Sequence, residues 1–330
     1  SGGLWLVLEP RLLMHVTDGL SPVQEIEAWG AYIRGLMLMV FQGIGFACIT
    51  LGTVFPFLMK LAERDMRVPG HMLGKLLALN ILGAVTGSLI CGFVLLPIWG
   101  MWGTLQMLAA LYLVVALLLP VGWARAGVSL RVVGAGALVL LFTVFDSSKL
   151  PVMAQSSRQQ PAKVLEVWEE SDCTVAVVER DSGHRAIRVN SSYALGSTAA
   201  FTEQANQSHI PLYLFPETRS IFFIGLGTGI SAGAALDKRF PNVERVVSCE
   251  LTAAVVEAAE KWMPPMMTGG VFTDPRSEVR IEDGRHYLMA TDERFDMINA
   301  DLFLPYRRGA GSLYSRDHYE SVLKRLNPDG

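Results

Sequence analysis

The chain has 330 residues, of which 51% are hydrophobic and only 18% charged. Soluble domains are about a quarter charged, so this composition excludes a purely soluble enzyme and a disordered chain alike. A net charge of −3 leaves no electrostatic footprint for nucleic acid. Cys48, Cys91, Cys173 and Cys249 stand far apart with no CxxC pair, which argues against a disulfide scaffold or a zinc framework.

Residues 1–30 open the chain with Leu4–Val16, an apolar stretch interrupted by Glu9, Pro10 and Arg11. It is too short and broken to span a bilayer and reads as an amphipathic or partial segment. Residues 31–146 then hold four long apolar runs: Gly35–Leu61, Leu76–Trp99, Leu105–Trp123 and Val128–Phe145. A transmembrane helix needs about 20 mostly apolar residues, so this part predicts an α-helical bundle of about four spans. Trp99, Trp102 and Trp123 fall at the predicted ends, where amphipathic rings suit the interface. Gly83 and Gly87 form a GxxxG, and small residues at this spacing let helices approach closely in lipid. No acid or base lies deep within a run, so an ion or substrate path is not expected.

These features predict an integral membrane protein of the bacterial inner-membrane type. Lys60, Arg64, Arg67, Lys75, Arg125 and Arg131 fall on one face if all four runs span. The positive-inside rule makes that face cytoplasmic and puts the residues after 147 outside. If Val128–Phe145 does not span, the second half is cytoplasmic. Both arrangements stay open.

Residues 147–162 are polar, with two prolines, and read as a linker. A small antiparallel β subdomain is expected over 163–200. Its alternating runs are Val164–Trp168, Thr174–Arg180 and Ala186–Val189, with a turn at Asp181–Gly183 between the last two. From 201 to 330 the pattern becomes strand–helix alternation. Ile221–Ile224 runs into the glycine loop Gly225-Leu-Gly227-Thr-Gly229, with a helix over Ile230–Lys238; Val243–Cys249 ends at Glu250; Val279–Ile281 leads to Glu282-Asp283-Gly284; Phe295–Ala300 ends at Asp301. This order predicts a doubly wound, Rossmann-like parallel sheet whose ligands sit at the carboxyl ends of the strands.

That edge carries the chemistry. Glycines let the backbone approach a ligand, and the acid closing the second strand suits a ribose diol. Glu250 stands there, and Asp283 suits an adenine amino group. The bland alternative is turn glycines and solvated carboxylates. With Ile230 where a dinucleotide fingerprint has its third glycine, the loop looks more like an S-adenosylmethionine-type fold than an NAD fold.

Five segments make the resemblance specific: Ile221–Gly229, Val246–Leu251, Asp274-Pro-Arg276, Glu282-Asp-Gly284 and Phe295–Asp301. Together they resemble the spermidine synthase (polyamine aminopropyltransferase) family. Asp301-Leu-Phe-Leu-Pro305, Gly311–Tyr314 and the run Leu73–Leu89 are similar to its membrane-fused branch. The resemblance implies transfer of an aminopropyl group from decarboxylated S-adenosylmethionine to an amine, without a metal. It implies Asp301 as the catalytic carboxylate, Glu250, Asp283 and Gly284 as nucleoside contacts, and Gly225, Gly227 and Gly229 as the nucleotide loop. The implied partners are a lipid bilayer, a small-molecule amine, and a homo-oligomer or membrane complex.

Two departures weaken a diamine acceptor. Leu304 replaces the second acid of the family's acceptor loop, and Glu203-Gln204-Ala205 keeps only Gln204 of its Tyr-His/Gln-Glu motif. Tyr193, Gln204 and Tyr306 are the acceptor-side candidates. The alternatives are a non-catalytic membrane subunit keeping the fold as an interaction module, and an S-adenosylmethionine-dependent methyltransferase. His184, His209 and His286 lack metal-ligand spacing, Ser197 and Thr198 lack a nucleophile motif, and Trp168 and Trp262 read as packing residues. Residues 326–330 stand where such a fold enters its fifth strand, so the chain reads as a slice of a longer protein.

Overall fold

The computed structural model describes residues 29–41, 69–118, 162–170, 173–190, 193–300 and 310–330, with isolated positions between 45 and 60 and between 132 and 136. The chain divides into two compact units, Ser1–Pro161 with Glu169–Cys173, and Ala162–Trp168 with Thr174–Gly330.

Three helices are described in the first unit: α1 (Trp29–Val40), α2 (Pro69–Ile90) and α3 (Leu96–Leu118), the last two joined by a single π-helical turn at Cys91–Leu95. The stretch Gly74–Gly100 is 27 residues long and is the one described helix long and apolar enough to cross a membrane. Its apolar side chains are not packed away: Leu79, Leu82 and Phe93 are 65%, 60% and 79% exposed. Its few hydroxyls are satisfied within the helix. Thr86 Oγ1 donates to Leu82 O at 2.7 Å and Ser88 Oγ to Val85 O at 2.9 Å, which removes their need for water. Gly100, at φ 66° and ψ −177°, kinks the chain where this stretch ends. It coincides with the second expected span. The third is described only to Leu118. Residues 1–28, most of the first span and the fourth lie outside the described residues, so the four-span bundle stays an expectation.

The second unit begins with an antiparallel sheet of β1 (Ala162–Glu169), β2 (Thr174–Arg180), β3 (Arg185–Val189) and β4 (Tyr193–Ser197), in that spatial order. Three of these strands follow from the alternation of apolar residues. The fourth does not, because Tyr-Ala-Leu-Gly-Ser has no alternation to read, and only pairing with β3 makes it a strand.

After β4 come α4 (Phe201–Leu214), β5 (Ser220–Ile224), α5 (Ile230–Ala234), β6 (Arg245–Glu250), α6 (Ala253–Trp262), β7 (Ser277–Ile281), α7 (Gly284–Ala290), β8 (Met297–Ala300) and α8 (Arg316–Arg325). The four strands β5–β8 form a parallel sheet in the order β7-β6-β5-β8. Both faces are covered, which explains the unbroken apolar run of β5. Ile221 and Phe223 face α4 and α5 with Leu212, Ala232 and Val246; Phe222 and Ile224 face α7 and α8 with Val247, Tyr287 and Leu288. The helix expected over Ile230–Lys238 is shorter than the apolar pattern suggests. Beyond Ala234 the chain passes into tight turns, with Leu236 N donating to Gly233 O and Phe240 N to Asp237 O.

One polar knot ties the antiparallel sheet to α6. Trp262 Nε1 donates to Glu166 Oε2 at 2.6 Å, Lys261 Nζ to Glu166 Oε1 at 2.8 Å, and Arg185 Nη1 to Trp262 O at 2.9 Å. Trp262 is therefore more than a packing residue.

Candidate functional site

In the order β7-β6-β5-β8 the sheet grows in one direction from β5 to β6 and β7, and in the other to β8. The topological switch lies beside β5, so the crevice outside its carboxyl end is where such sheets bind ligands. The loop Gly225–Gly229 leaves β5 there. Its three glycines have φ of 98°, 57° and 77°, a left-handed region that side chains adopt only at a cost of roughly 1–2 kcal/mol. The loop is anchored to its neighbour by Gly225 N, which donates to Cys249 O at 2.8 Å.

Glu250 closes β6 and turns into that loop. Its Oε2 accepts from Leu226 N and Gly227 N, both at 3.1 Å, and its Oε1 from Thr252 N at 3.2 Å. Only 8% of this side chain is exposed. An ionised carboxylate offers about four lone-pair sites, so Oε1 keeps one for an incoming hydroxyl while Oε2 is filled by the loop. The reading of a carboxylate that accepts equally from both ribose hydroxyls changes accordingly: here one oxygen holds the loop in shape.

Asp283 lies at the end of β7 and is the N-cap of α7. Its Oδ1 accepts from Arg285 N at 2.8 Å and His286 N at 3.2 Å, whereas Oδ2 makes only a 3.8 Å approach to His286 Nδ1. Gly284 is buried, and a Cβ there would lie 3.2 Å from Ile224 Cγ2 and 3.4 Å from Cys249 Cβ. Its role in this structure is to let α7 start close against β5 and β6. The Cys249 thiol beneath is pushed up to about 12, by burial first and then by Glu282, so it is no thiolate nucleophile.

Gln204 behaves differently from the expectation of an acceptor contact. It is buried, donates from Nε2 to Ser197 O at 2.8 Å and Ala200 O at 3.0 Å, and accepts from Thr228 Oγ1 at 2.6 Å. Both amide hydrogens are used internally, so none is left for a substrate. Gln204 is instead a strut between β4 and the glycine loop. Thr228, which the sequence reading passed over, is its partner; a hydroxyl residue between two loop glycines was the available signal. Tyr193 is the first residue of β4, opposite Val189. Asp301 and Tyr306 lie outside the described residues.

Among the described residues no group of three or more His, Cys, Asp or Glu side chains converges that could hold a metal ion. His184 Nδ1 lies 3.3 Å from Thr198 Oγ1, and His209 Nε2 lies 3.3 Å from Arg239 Nη2.

Residues 200–330, which hold the glycine loop, Glu250 and Asp283, match the family model described as the spermine/spermidine synthase domain. This part of the chain is thus similar to a spermidine synthase domain. The polyamine aminopropyltransferase of Corynebacterium efficiens is 32% identical over 342 residues, a match that covers 98% of this chain and 63% of that protein. That of Nitrosomonas europaea is 33% identical over 156 residues, covering 47% of each. A solved spermidine synthase from Thermotoga maritima is 23% identical with a TM-score of 0.43, covering 50% of this chain and 54% of that one. The chain spans less than two thirds of the length of these curated relatives. The domain's matched segment begins just before α4, so the antiparallel sheet precedes it.

Proposed function

We propose that this chain belongs to a membrane-anchored aminopropyltransferase that uses decarboxylated S-adenosylmethionine. The observation that carries the reading is the meeting of the glycine loop, Glu250 and Asp283 at the switch-point edge of a domain similar to spermidine synthase. The names of its relatives, polyamine aminopropyltransferases, support the same class of reaction. Leu251 and Ile281, 67% and 61% exposed beside Glu250, supply apolar surface for a purine face.

In this reaction the acceptor nitrogen attacks the methylene carbon next to the sulfonium. The new C–N bond forms as the C–S bond breaks, and the electron pair leaves on sulfur as methylthioadenosine. The acceptor must be a neutral amine, and Asp301, the residue that follows β8 in the sequence, takes the proton in this reading. Holding the two reactants together supplies much of the remaining acceleration.

Membrane anchoring rests on Gly74–Gly100. At 1.5 Å per residue a 27-residue helix is about 40 Å long, enough to cross roughly 30 Å of hydrocarbon. Its exposed leucines and phenylalanine are costly in water and neutral in lipid. The catalytic domain then belongs on the cytoplasmic face, beside its nucleotide.

The test is calorimetry with decarboxylated S-adenosylmethionine and methylthioadenosine, followed by product analysis with diamines. Saturable binding with transfer is the expected result. Binding without transfer to any amine favours the non-catalytic module, and the internally committed Gln204 is the observation on that side. No binding of either nucleoside overturns the reading. Carbonate-resistant membrane association tests the anchor separately.

A further inference from the structure

β8 carries a polar residue in an otherwise apolar strand. Along Met297-Ile-Asn-Ala300, Met297 packs with Leu212 and Phe223 on the side of α4 and α5, whereas Ile298 packs with Phe222 and Leu288 on the side of α7 and α8. Asn299, the next residue and the partner of Phe223 in β5, returns to the α4 side. Asparagine is depleted in strands, and a polar group facing a packed layer needs a partner. Asn299 has one: its Nδ2 donates to Gln207 O in α4 at 3.1 Å.

The sequence of α4 explains why that carbonyl receives a bond from a strand. Pro211 lies inside the helix. A helical carbonyl accepts from the N–H four residues on, and proline has none, so Pro211 withholds the intrahelical donor from Gln207 O. Asn299 supplies a donor from β8 instead. Close by, Ser231 Oγ lies 3.0 Å from Gln204 O and 2.7 Å from Gln207 Oε1, and Ser208 Oγ donates to Ser231 O at 2.5 Å. α4 is therefore fastened at Ser231 to the start of α5, and at Asn299 to β8.

We propose that Asn299 is a positioning residue: by holding β8 to α4 it sets the place of the carboxylate two residues later in the sequence, Asp301, relative to the nucleotide. This rests on the reading of Asp301 as the proton acceptor. α4 is the relevant frame, because Gln204 on that helix accepts from Thr228 Oγ1 and so braces the glycine loop. The bonds from the loop through α4 to β8 thus link the spacing of nucleotide and base to one side-chain amide. A misplacement of about 1 Å between reacting groups is enough to slow a reaction by about a hundredfold.

The test combines single-turnover transfer from decarboxylated S-adenosylmethionine to diamines, calorimetry with methylthioadenosine, and thermal unfolding, all on the full chain in detergent. Asn299→Leu keeps the volume and removes the donor. It should slow transfer at saturating nucleotide by about ten- to a hundredfold and leave the methylthioadenosine Kd within about twofold. Pro211→Ala restores an N–H to α4. A carbonyl has two lone pairs, so Asn299 keeps its bond and this variant should transfer at the native rate. In the double variant the helix supplies its own donor to Gln207 O. Thermal stability lost with Asn299 should then return in part, while transfer stays slow. Recovery of transfer together with stability would make Asn299 no more than a partner for a carbonyl, and overturns the proposal. So does native-rate transfer in Asn299→Leu, or a nucleoside affinity that falls as far as the rate. Asn299→Ala, read in the same way, stands in if the leucine variant does not fold. A native chain that transfers nothing to any amine removes the reading of Asp301 and this proposal with it; an active chain indifferent to Asn299 removes this proposal alone.

Discussion

Glu250 Oε2 accepts from both Leu226 N and Gly227 N, so the acid that ends one strand shapes the loop that ends its neighbour. The carboxylate serves the loop before it serves a ligand. Charge-assisted bonds of this kind contribute roughly 1.5–3 kcal/mol each, less when a polar substitute can replace them. Glu250→Gln keeps the size but loses the charge and one acceptor. It should lower local stability by about 1–3 kcal/mol, seen as faster amide exchange at Leu226 and Gly227. Nucleoside affinity should weaken by at least about tenfold, or 1.4 kcal/mol. Unchanged exchange would show that the loop holds its shape without Glu250.

Gln204 and Thr228 make a 2.6 Å hydrogen bond between α4 and the glycine loop, both side chains being buried. Gln204→Ala also strands the carbonyls of Ser197 and Ala200. A double-mutant cycle with Thr228→Val should return a coupling of about 0.5–3 kcal/mol. The variants should lose nucleoside affinity while KM for the amine stays the same. A rise in amine KM alone would restore Gln204 to the acceptor site.

Gly229 has φ 77°, and a Cβ there would sit 3.1 Å from Val271 Cγ1. Gly229→Ala combines a left-handed penalty with crowding and should cost about 1–3 kcal/mol. Thermal unfolding of the purified chain checks this. A neutral effect would mean that the loop relaxes at no cost.

Asp296 pins the other end of the sheet. Its Oδ2 accepts from Arg219 N at 2.9 Å and Ser220 N at 2.8 Å, and its Oδ1 from Asn327 Nδ2 at 2.6 Å. Burial alone would raise this carboxyl, but the bonds from Asn327, Arg219 and Ser220 outweigh it and hold it below the ordinary range. A carboxyl depressed in the fold contributes stability that is fully present above its unfolded value, about 3.9, and is lost as pH falls through the folded value. Asp296→Asn should therefore destabilise by about 1–3 kcal/mol at pH 7. The gap from the native chain should close below about pH 4. A pH-independent difference would assign the effect to packing.

Asp301→Asn should lower turnover by a factor on the order of 10²–10⁴, the usual contribution of a general base, and leave nucleoside binding intact. Single-turnover transfer at saturating nucleotide separates the two. Full activity would remove Asp301 from the proposed mechanism.

Local pattern in the sequence was enough to lay out the second unit. The apolar run Ile221–Ile224 before Gly225, with the segments Val246–Cys249 before Glu250 and Val279–Ile281 before Asp283, specifies strands, their common parallel direction and the edge where the acids gather. That works because the inner strands β5 and β6 of a sheet covered on both faces are buried nearly throughout, so the run and its polar end are visible one strand at a time. The uncharged stretch over Gly74–Gly100 is legible for the same reason: length and apolarity are local properties.

What only the tertiary structure decided is the use made of each polar group. Gln204 stands where the family resemblance suggested a substrate contact, yet its amide is consumed by Ser197, Ala200 and Thr228, residues that only folding brings to it. Glu250 shares its carboxylate with backbone N–H groups 24 and 23 positions away, and His318 is buried although it lies on a helix whose sequence is strongly polar. A hydrogen bond depends on where its partner lies within about 3 Å, and that distance is set by the whole packing. The sequence names the donors and acceptors; the fold decides which of them remain for a ligand.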